Sequence, residues 1–436
     1  NDYAKRYLQL LVTNVVGQNG IRLQSKARNA DNSLDIIGNN VLEREWAKWG
    51  KRGNCTIDGK LSFLDAQKLF IETLARDGEV LVRHITSNNP NDPYRIQFLD
   101  ADYLDEEENK VMNNGQEIIM GVKLDKYKKP VSYFLFKEHP HNKQFGRHDR
   151  THIEVPAEDI IHAYQLDRPE QTRGLPFMTT ALNRLKMLDG YEEAELVAAR
   201  VGASKMGFFT SPAGDGYTGE DTDDDYTPVM NAEAGTFEQL PDGMGFQTFD
   251  PQHPTSGFDA FHKSIMRGIA SGLGVSYVSL ANNLEGVNYS SIRQGTLEER
   301  DNYRILQRFM IDHFIEPVFQ KWLLQTMSFK NGFLLPPDKY DKFADNVEFN
   351  PRSWGWIDPV KEVKANVDGL NAGVVTMQDI QANYGRDVEE LFEQHQREEE
   401  LAKQYDIKTA YQPFGAAKMP IDAEIQSDGD EDEQGE

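Results

Sequence analysis

Cysteine, long apolar runs and, across one wide window, positive charge are what this chain has little of. Its single cysteine, Cys55, excludes an internal disulfide framework and fits a reducing compartment. No apolar run approaches the roughly 18 residues of a membrane-crossing helix. No secretory signal opens the chain, and Asn1 is not an initiator, which implies a leading segment ahead of it. Between Lys205 and Lys263 there is no Lys or Arg, while acids gather there, among them Asp221, Asp223, Asp224, Asp225, Glu238 and Asp242. The 436 residues carry a formal net charge of −24. Tight or sequence-specific DNA binding leaves a basic footprint, so both are disfavoured. Every charged residue from Ile421 onward is acidic, which reads as a solvated, disordered tail.

Catalytic motifs are missing as well. No GxxxxGK[ST] loop is present for nucleotide phosphates. No GxSxG elbow is present either: Ser204 lies in GASKMG, at the wrong spacing and inside a helical stretch. Consecutive acids from Asp221 to Asp225 on a loop cannot hold a metal in the fixed open geometry that catalysis needs. Half of the histidines fall between His139 and His162, with His141, His148 and His152 between them. A zinc or nickel site using His148, Asp149 and His152 is one reading of HPHNKQFGRHDRTH. A polar loop between strands is the preferred one, so no metal and no cofactor is expected.

What is present is organised around residues 258–324. Phe258, Phe261, Ile265, Ile269 and Leu273 recur at helical spacing, and Gly272 and Gly274 end that helix. The polar loop LANNLEGVNYS follows. Ser290 or Ser291 is the predicted cap of a second, longer helix whose apolar line runs through Ile292, Tyr303, Leu306, Met310, Phe314, Val318 and Leu323. Pro317 removes a backbone donor and predicts a kink.

Upstream, AKRYLQLLVTNVVG reads as a helix closed by Gly17. A second helical region puts Trp46 and Trp49 on one face. A third helix over Ser62 to Arg76 is capped by Ser62 and buries Phe63, Leu64, Leu69 and Leu74. EVLVRHI, RIQFLDADYL, EIIMGVKLD, PVSYFLFKE and DIIHAY then read as strands separated by turns, most simply a mixed sheet packed on those helices. A long helix follows Pro176, with the stripe Leu182, Leu185 and Leu188. Its small-residue part, Ala194 to Ala203, offers a packing surface for a neighbouring subunit or for the same chain. After about residue 357 the chain is helical, punctuated by Gly373 and Gly385.

Five passages carry a resemblance: RPEQTRGLPF (Arg168–Phe177), GTFEQLPDGMGFQTFDPQHP (Gly235–Pro254), GLGVSYVSLANNLEGVNYSSIR, ERDNYRILQ and WGWIDPVKEVKA (Trp354–Ala365). In order and spacing they resemble the lambda-type bacteriophage portal proteins. The resemblance implies an α+β portal fold. Its parts would be a wing (1–174), a stem helix (175–205), a small β-rich clip (206–255), a second stem helix (256–280), a tunnel loop (281–290), a long kinked wing helix and return (291–356), a helical crown (357–410) and an acidic tail (411–436). It implies no enzyme. It implies a structural protein forming a dodecameric ring at one capsid vertex, through which double-stranded DNA is packaged and ejected. Implied partners are the large terminase subunit, head-completion and adaptor proteins, and the major capsid and scaffold proteins, with no membrane. The implied location is the virion, and host cytoplasm during assembly. Rival readings are another head–tail connector or minor capsid protein, and a metal-dependent hydrolase using the His139–His152 cluster.

Physical reasoning adds candidate residues. A channel that passes duplex DNA should repel it, because each cation on phosphate adds affinity that acts as friction. A few cations would centre the duplex, and Arg184, Lys186, Arg200, Lys205, Lys263 and Arg267 are the candidates; the competing reading pairs them with neighbours such as Glu192, Glu193 and Glu195. The loop residues Asn282, Asn283, Leu284, Glu285, Val287, Asn288 and Tyr289 would narrow the pore. The acids at 221–225, Glu238 and Asp242 would be the docking address on the clip.

Overall fold

The structure is a computed structural model that describes residues 1–112, 115–141, 151–203, 207–210, 245–248, 257–285, 288–354, 359–383 and 388–407. Two units divide it, Asn1–Ser353 and Trp354–Glu436.

The first unit opens with α1 (Asp2–Leu11), capped by the Asn1 side chain, which accepts from the Tyr3 and Ala4 amides. A π turn over Val12–Val16 follows and ends at Gly17, with φ +73°. Then come β1 (Arg22–Ser25), α2 (Ile36–Trp49) and α3 (Phe63–Asp77). Ser62 and Asp65 form a reciprocal capping box at the start of α3. Phe63 and Leu74 are buried as expected. Leu64 and Leu69 are only half-buried, and Phe70 and Ile71 take the core positions instead. Trp46 stacks on Trp49 at 4.8 Å between ring centroids.

The strands are β2 (Glu79–Thr86), β3 (Tyr94–Leu99), β4 (Lys110–Val111), β5 (Glu117–Ile119), β6 (Val122–Leu124), β7 (Pro130–Phe136), β8 (His152–Pro156) and β9 (Ile160–Tyr164). The mixed sheet expected from sequence is instead two antiparallel sheets, ordered β3-β2-β9 and β4-β5-β6-β7-β8. EIIMGVKLD is a hairpin rather than one strand. Met120 and Gly121 take φ of 49° and 80°, the two-residue turn that matches strand twist. Hydrophobic alternation cannot reveal such a break when the turn residue is itself apolar. The polar-loop reading of the histidine stretch also needs correction at its end, because His152 opens β8, paired with Phe136.

Next come α4 (Leu182–Ala203), β10 (Gly207–Thr210), β11 (Gly245–Thr248), α5 (Phe258–Leu273), α6 (Tyr277–Ala281) and α7 (Tyr289–Met310). β10 and β11 pair antiparallel. Leu185 and Leu188 are buried on α4, whereas Leu182 is half exposed. On α5, Phe261 is exposed and Met266 takes its place in the core. α7 begins at Tyr289, so Ser290 and Ser291 are inside it; the Asn288 carbonyl accepts the Ile292 amide at 3.1 Å.

A π turn over Ile311–Ile315 joins α7 to α8 (Glu316–Phe329). The expected irregularity at Pro317 is therefore a widened turn just before it. Widening relieves the contact that a proline ring makes with the carbonyl four residues back. Across this junction Phe314, Phe319 and Trp322 enter the aromatic core. Phe314 stacks on Phe70 at 4.6 Å, and Trp322 meets Trp46 edge-on at 5.0 Å. The unit closes with α9 (Tyr340–Ala344) and β12 (Val347–Asn350), which pairs antiparallel with β1.

The second unit contains α10 (Pro359–Asn371), α11 (Met377–Asn383) and α12 (Val388–Gln404). Gly373, with φ +68°, follows α10, and Thr376 and Asp379 cap α11 reciprocally. Gly385 and the acidic tail lie outside the described residues. Among the described residues, no helix is long and apolar enough to cross a membrane.

Candidate functional site

α4 and α5 form an antiparallel pair. Thr180 donates to the Gly272 carbonyl at 3.0 Å at one end. Farther along, Tyr191 stacks on Phe258 at 5.6 Å and meets Phe261 edge-on at 5.1 Å. Glu192 accepts from His262 Nε2 at 2.7 Å. Arg184 lies across Gly268, where a Cβ would come within 1.8 Å of its Nη1.

This geometry sorts the candidate cations. Arg184 is turned onto α5, and Lys186 is exposed two residues on, roughly 200° round the helix. The two cannot serve the same face. Lys263 and Arg267 are one turn apart on α5 and share a face. Lys263 pairs with Asp259 at 2.7 Å, and Arg267 sits over the Tyr277 ring at 5.7 Å. Arg200 is exposed near the end of α4. Lys205 lies outside the described residues, as do Asp221, Asp223, Asp224, Asp225, Glu238 and Asp242.

The loop after α5 is built on rigid supports. Ser276 caps α6 by accepting the Ser279 amide at 3.1 Å, and Asn282 ends α6 in the left-handed region at φ 52°. Asn283 accepts the Glu285 amide at 2.8 Å and donates to the Tyr277 hydroxyl at 3.4 Å. Its side chain therefore shapes the turn. Leu284 is 69% exposed. Asn288 is exposed and leads into α7 at Tyr289, while Val287 lies outside the described residues.

Glu299, buried on α7, anchors that loop. It accepts from Ser279 Oγ at 2.8 Å and from the Tyr303 hydroxyl at 2.6 Å. Asn302 donates to the Gly274 carbonyl at 3.2 Å, and Arg6 donates to the Ser279 carbonyl at 3.2 Å. The passage ERDNYRILQ thus supplies the bonds that fix GLGVSYVSLANN. Glu299 is not distinguishable in the sequence from its acidic neighbours Glu298 and Asp301; its partner Ser279, 20 positions away, is what sets it apart.

RPEQTRGLPF has a second buried node. Glu79, 3% exposed, accepts from Arg173 Nε at 2.8 Å, from His162 Nε2 at 2.9 Å and from the Gly174 amide at 3.2 Å. Burial alone would raise the Glu79 pKa. Hydrogen bonds from His162 and Arg173 outweigh it and bring the carboxyl down to about 2. Burial holds His162 below its ordinary pKa against the pull of Glu79. In this contact Nε2–H donates, because a carboxylate only accepts. Gly174 is required sterically, since a Cβ there would lie 2.1 Å from the Gly78 oxygen.

The other described histidines of the 139–162 stretch lie beside acids. His139 lies 3.9 Å from Asp100, His141 3.1 Å from Asp102 and His152 3.5 Å from Asp105. His148 and Asp149 lie outside the described residues. Cys55 is buried, donates to the Leu61 carbonyl at 3.3 Å, and burial pushes its thiol up to about 11. That is packing chemistry, not a reactive thiol.

Braced helices that hold a short exposed loop define a structural scaffold. Residues 1–307 match the family described as phage portal protein, lambda family, and the chain belongs to that family. The probable portal protein of Halomonas phage phiHAP-1 is 37% identical over 418 residues, covering 94% of this chain and 79% of that protein. Portal protein B of Escherichia phage lambda is 23% identical over 398 residues, covering 82% and 72%. Among solved structures, the neck of an empty gene transfer agent particle with C6 symmetry is similar at a TM-score of 0.47. It is 13% identical, covering 88% of this chain and 90% of that one.

Proposed function

We propose that this chain forms a dodecameric ring at one capsid vertex of a tailed phage, through which double-stranded DNA is packaged and ejected. Membership of the portal family carries this reading. The isolated chain also leaves Met187, Leu196 and Val197 exposed on α4 at 73%, 56% and 50%, apolar area that a neighbouring subunit would cover. In this reading α4 and α5 are stem helices, the stretch between them is the clip, and residues 281–290 narrow the pore. The helices after residue 357 form the crown. Lys263 and Arg267, on one face of α5, centre the duplex. The acids between residues 221 and 242 address the large terminase subunit during packaging, then head-completion and adaptor proteins. Contacts to the major capsid and scaffold proteins fall on the wing. ATP hydrolysis belongs to the terminase. The ring resides in the virion after assembly in the host cytoplasm.

Negative-stain electron microscopy with mass photometry tests the assembly. Rings with a central hole and a mass near twelve chains of 49.7 kDa are expected. Discrete particles without a hole, under conditions where scaffold and capsid protein are supplied, would end the reading. For the lumen, Lys263→Gln with Arg267→Gln is expected to impair DNA packaging or retention in particles that still assemble. Unchanged packaging and retention would remove both residues from the channel.

A further inference from the structure

We propose that Asp105, Glu108 and His152 form a binding site for one divalent transition-metal ion of the zinc class. One ligand atom from each lies within 4.8 Å of the other two. The three arrive on a backbone tied into one sheet. Asp105 donates its amide to the Phe134 carbonyl of β7 at 3.2 Å. Glu108 closes a turn onto the Asp105 carbonyl at 3.1 Å, and its own carbonyl takes the Gly121 amide of the β5–β6 turn at 3.1 Å. His152 is in register with Phe136, and its ring is edge-on to Phe134 at 5.2 Å. Such ligands are pre-positioned, which is what a metal site requires of its protein.

The side chains are aimed as ligands. Asp105 Oδ1 accepts the Glu107 amide at 3.2 Å, which fixes the carboxylate and leaves Oδ2 toward the imidazole. His152 Nδ1 lies 3.5 Å from that oxygen, is closed to solvent and takes no hydrogen bond. In the tautomer that carries its proton on Nε2, Nδ1 offers a lone pair to a cation seated between it and the Asp105 carboxylate. Bonds of about 2.0–2.2 Å to two atoms so spaced subtend roughly 105–120°, within reach of tetrahedral coordination. One imidazole and two carboxylates suit zinc, manganese or cobalt better than calcium or magnesium, which prefer oxygen alone. The side chains of Asp105 and His152 are 14% and 31% exposed, so water can complete the shell.

A second group pairs Asp100 and Asp102 of the β3–β4 connection with His139, which follows β7, and is more open, with Asp100 and Asp102 side chains 51% and 53% exposed. The enclosed group is therefore the site. An ion there would fasten the acidic β3–β4 connection to the start of β8, next to the histidine stretch set down from sequence as a polar loop.

The test uses the full chain, purified without a histidine tag, stripped with chelator and titrated with Zn2+ by calorimetry. Co2+ serves as a spectroscopic probe. About one ion per chain is expected, with Co2+ absorption typical of mixed nitrogen and oxygen ligands. His152→Ala and Asp105→Asn should each weaken binding on the order of tenfold or more, and Asp102→Asn should leave it unchanged. Glu108→Gln, on the turn, gives the same readout should His152→Ala not fold. Absence of saturable Zn2+ binding overturns the proposal. So does wild-type affinity in any of the three ligand variants, or loss of binding in Asp102→Asn, which would move the ion to the open group.

Discussion

Glu79 shows how one buried acid is held ionised. Its carboxylate is almost fully desolvated, which alone would raise its pKa, yet His162 and Arg173 bring it from 4.5 to about 2. A depressed acid contributes stability that is present above the unfolded pKa and is lost as pH falls through the folded one. The window here runs from about 4.5 down to about 2. Integrated, the shift is worth on the order of 3 kcal/mol at neutral pH. Glu79→Gln is therefore expected to lower unfolding stability by about that amount at pH 7. Urea denaturation across pH should show the gap to wild type narrowing below about pH 4.5. A gap that stays constant as the pH falls would mean that the loss comes from packing and not from the ionised group. Arg173 and Gly174 of the quoted RGLPF passage reach Glu79, but their partner is 94 and 95 positions away. The passage could be recognised from sequence, and its reason could not.

At the scale of elements, local rules did well where the causes were local. Ser62 as a cap, the shared face of Trp46 and Trp49, and the end of α5 at Gly274 each follow from residues within a turn of each other. Helix ends satisfied from afar were illegible. The end of the first helix leaves carbonyls without intrahelical donors. Gln307 Nε2 reaches the Val15 carbonyl at 3.1 Å and the Asn14 carbonyl at 3.3 Å, along with the Arg352 carbonyl at 3.0 Å. Arg352 donates to the Thr13 carbonyl and packs against Gly17, where a Cβ would fall 2.8 Å from its Cδ. Gln307→Leu keeps the volume and removes the donor. A loss of about 1–3 kcal/mol is expected in chemical denaturation. An unchanged midpoint would show that water takes over the carbonyls. In the candidate site, the exposed loop was legible from its Asn and Gly content. The facing of the cations was not, because rotation about a helix axis is set by the partner helix, and Arg184 turns onto Gly268.

For the whole molecule, charge and connectivity set the terms of assembly. Each chain brings a formal charge of −24, so neighbours in a ring repel at long range. Raising ionic strength from about 20 mM to about 200 mM shortens the screening length from roughly 20 Å to under 10 Å. The ringed fraction in mass photometry is expected to rise over that range. A fall would mean that attractive ion pairs dominate the subunit contacts. Connectivity acts in time. The end of the first helix and β1 are completed by Arg352 and β12, with Asn14 and Arg352 338 positions apart. At about 5–20 residues per second, a ribosome takes roughly 17–70 s to cover that distance. During translation the opening helix waits, its last carbonyls facing water, until nearly the whole first unit has been made. A nascent chain that stalls before residue 352 cannot close its own beginning, so unfinished products lack the finished first unit.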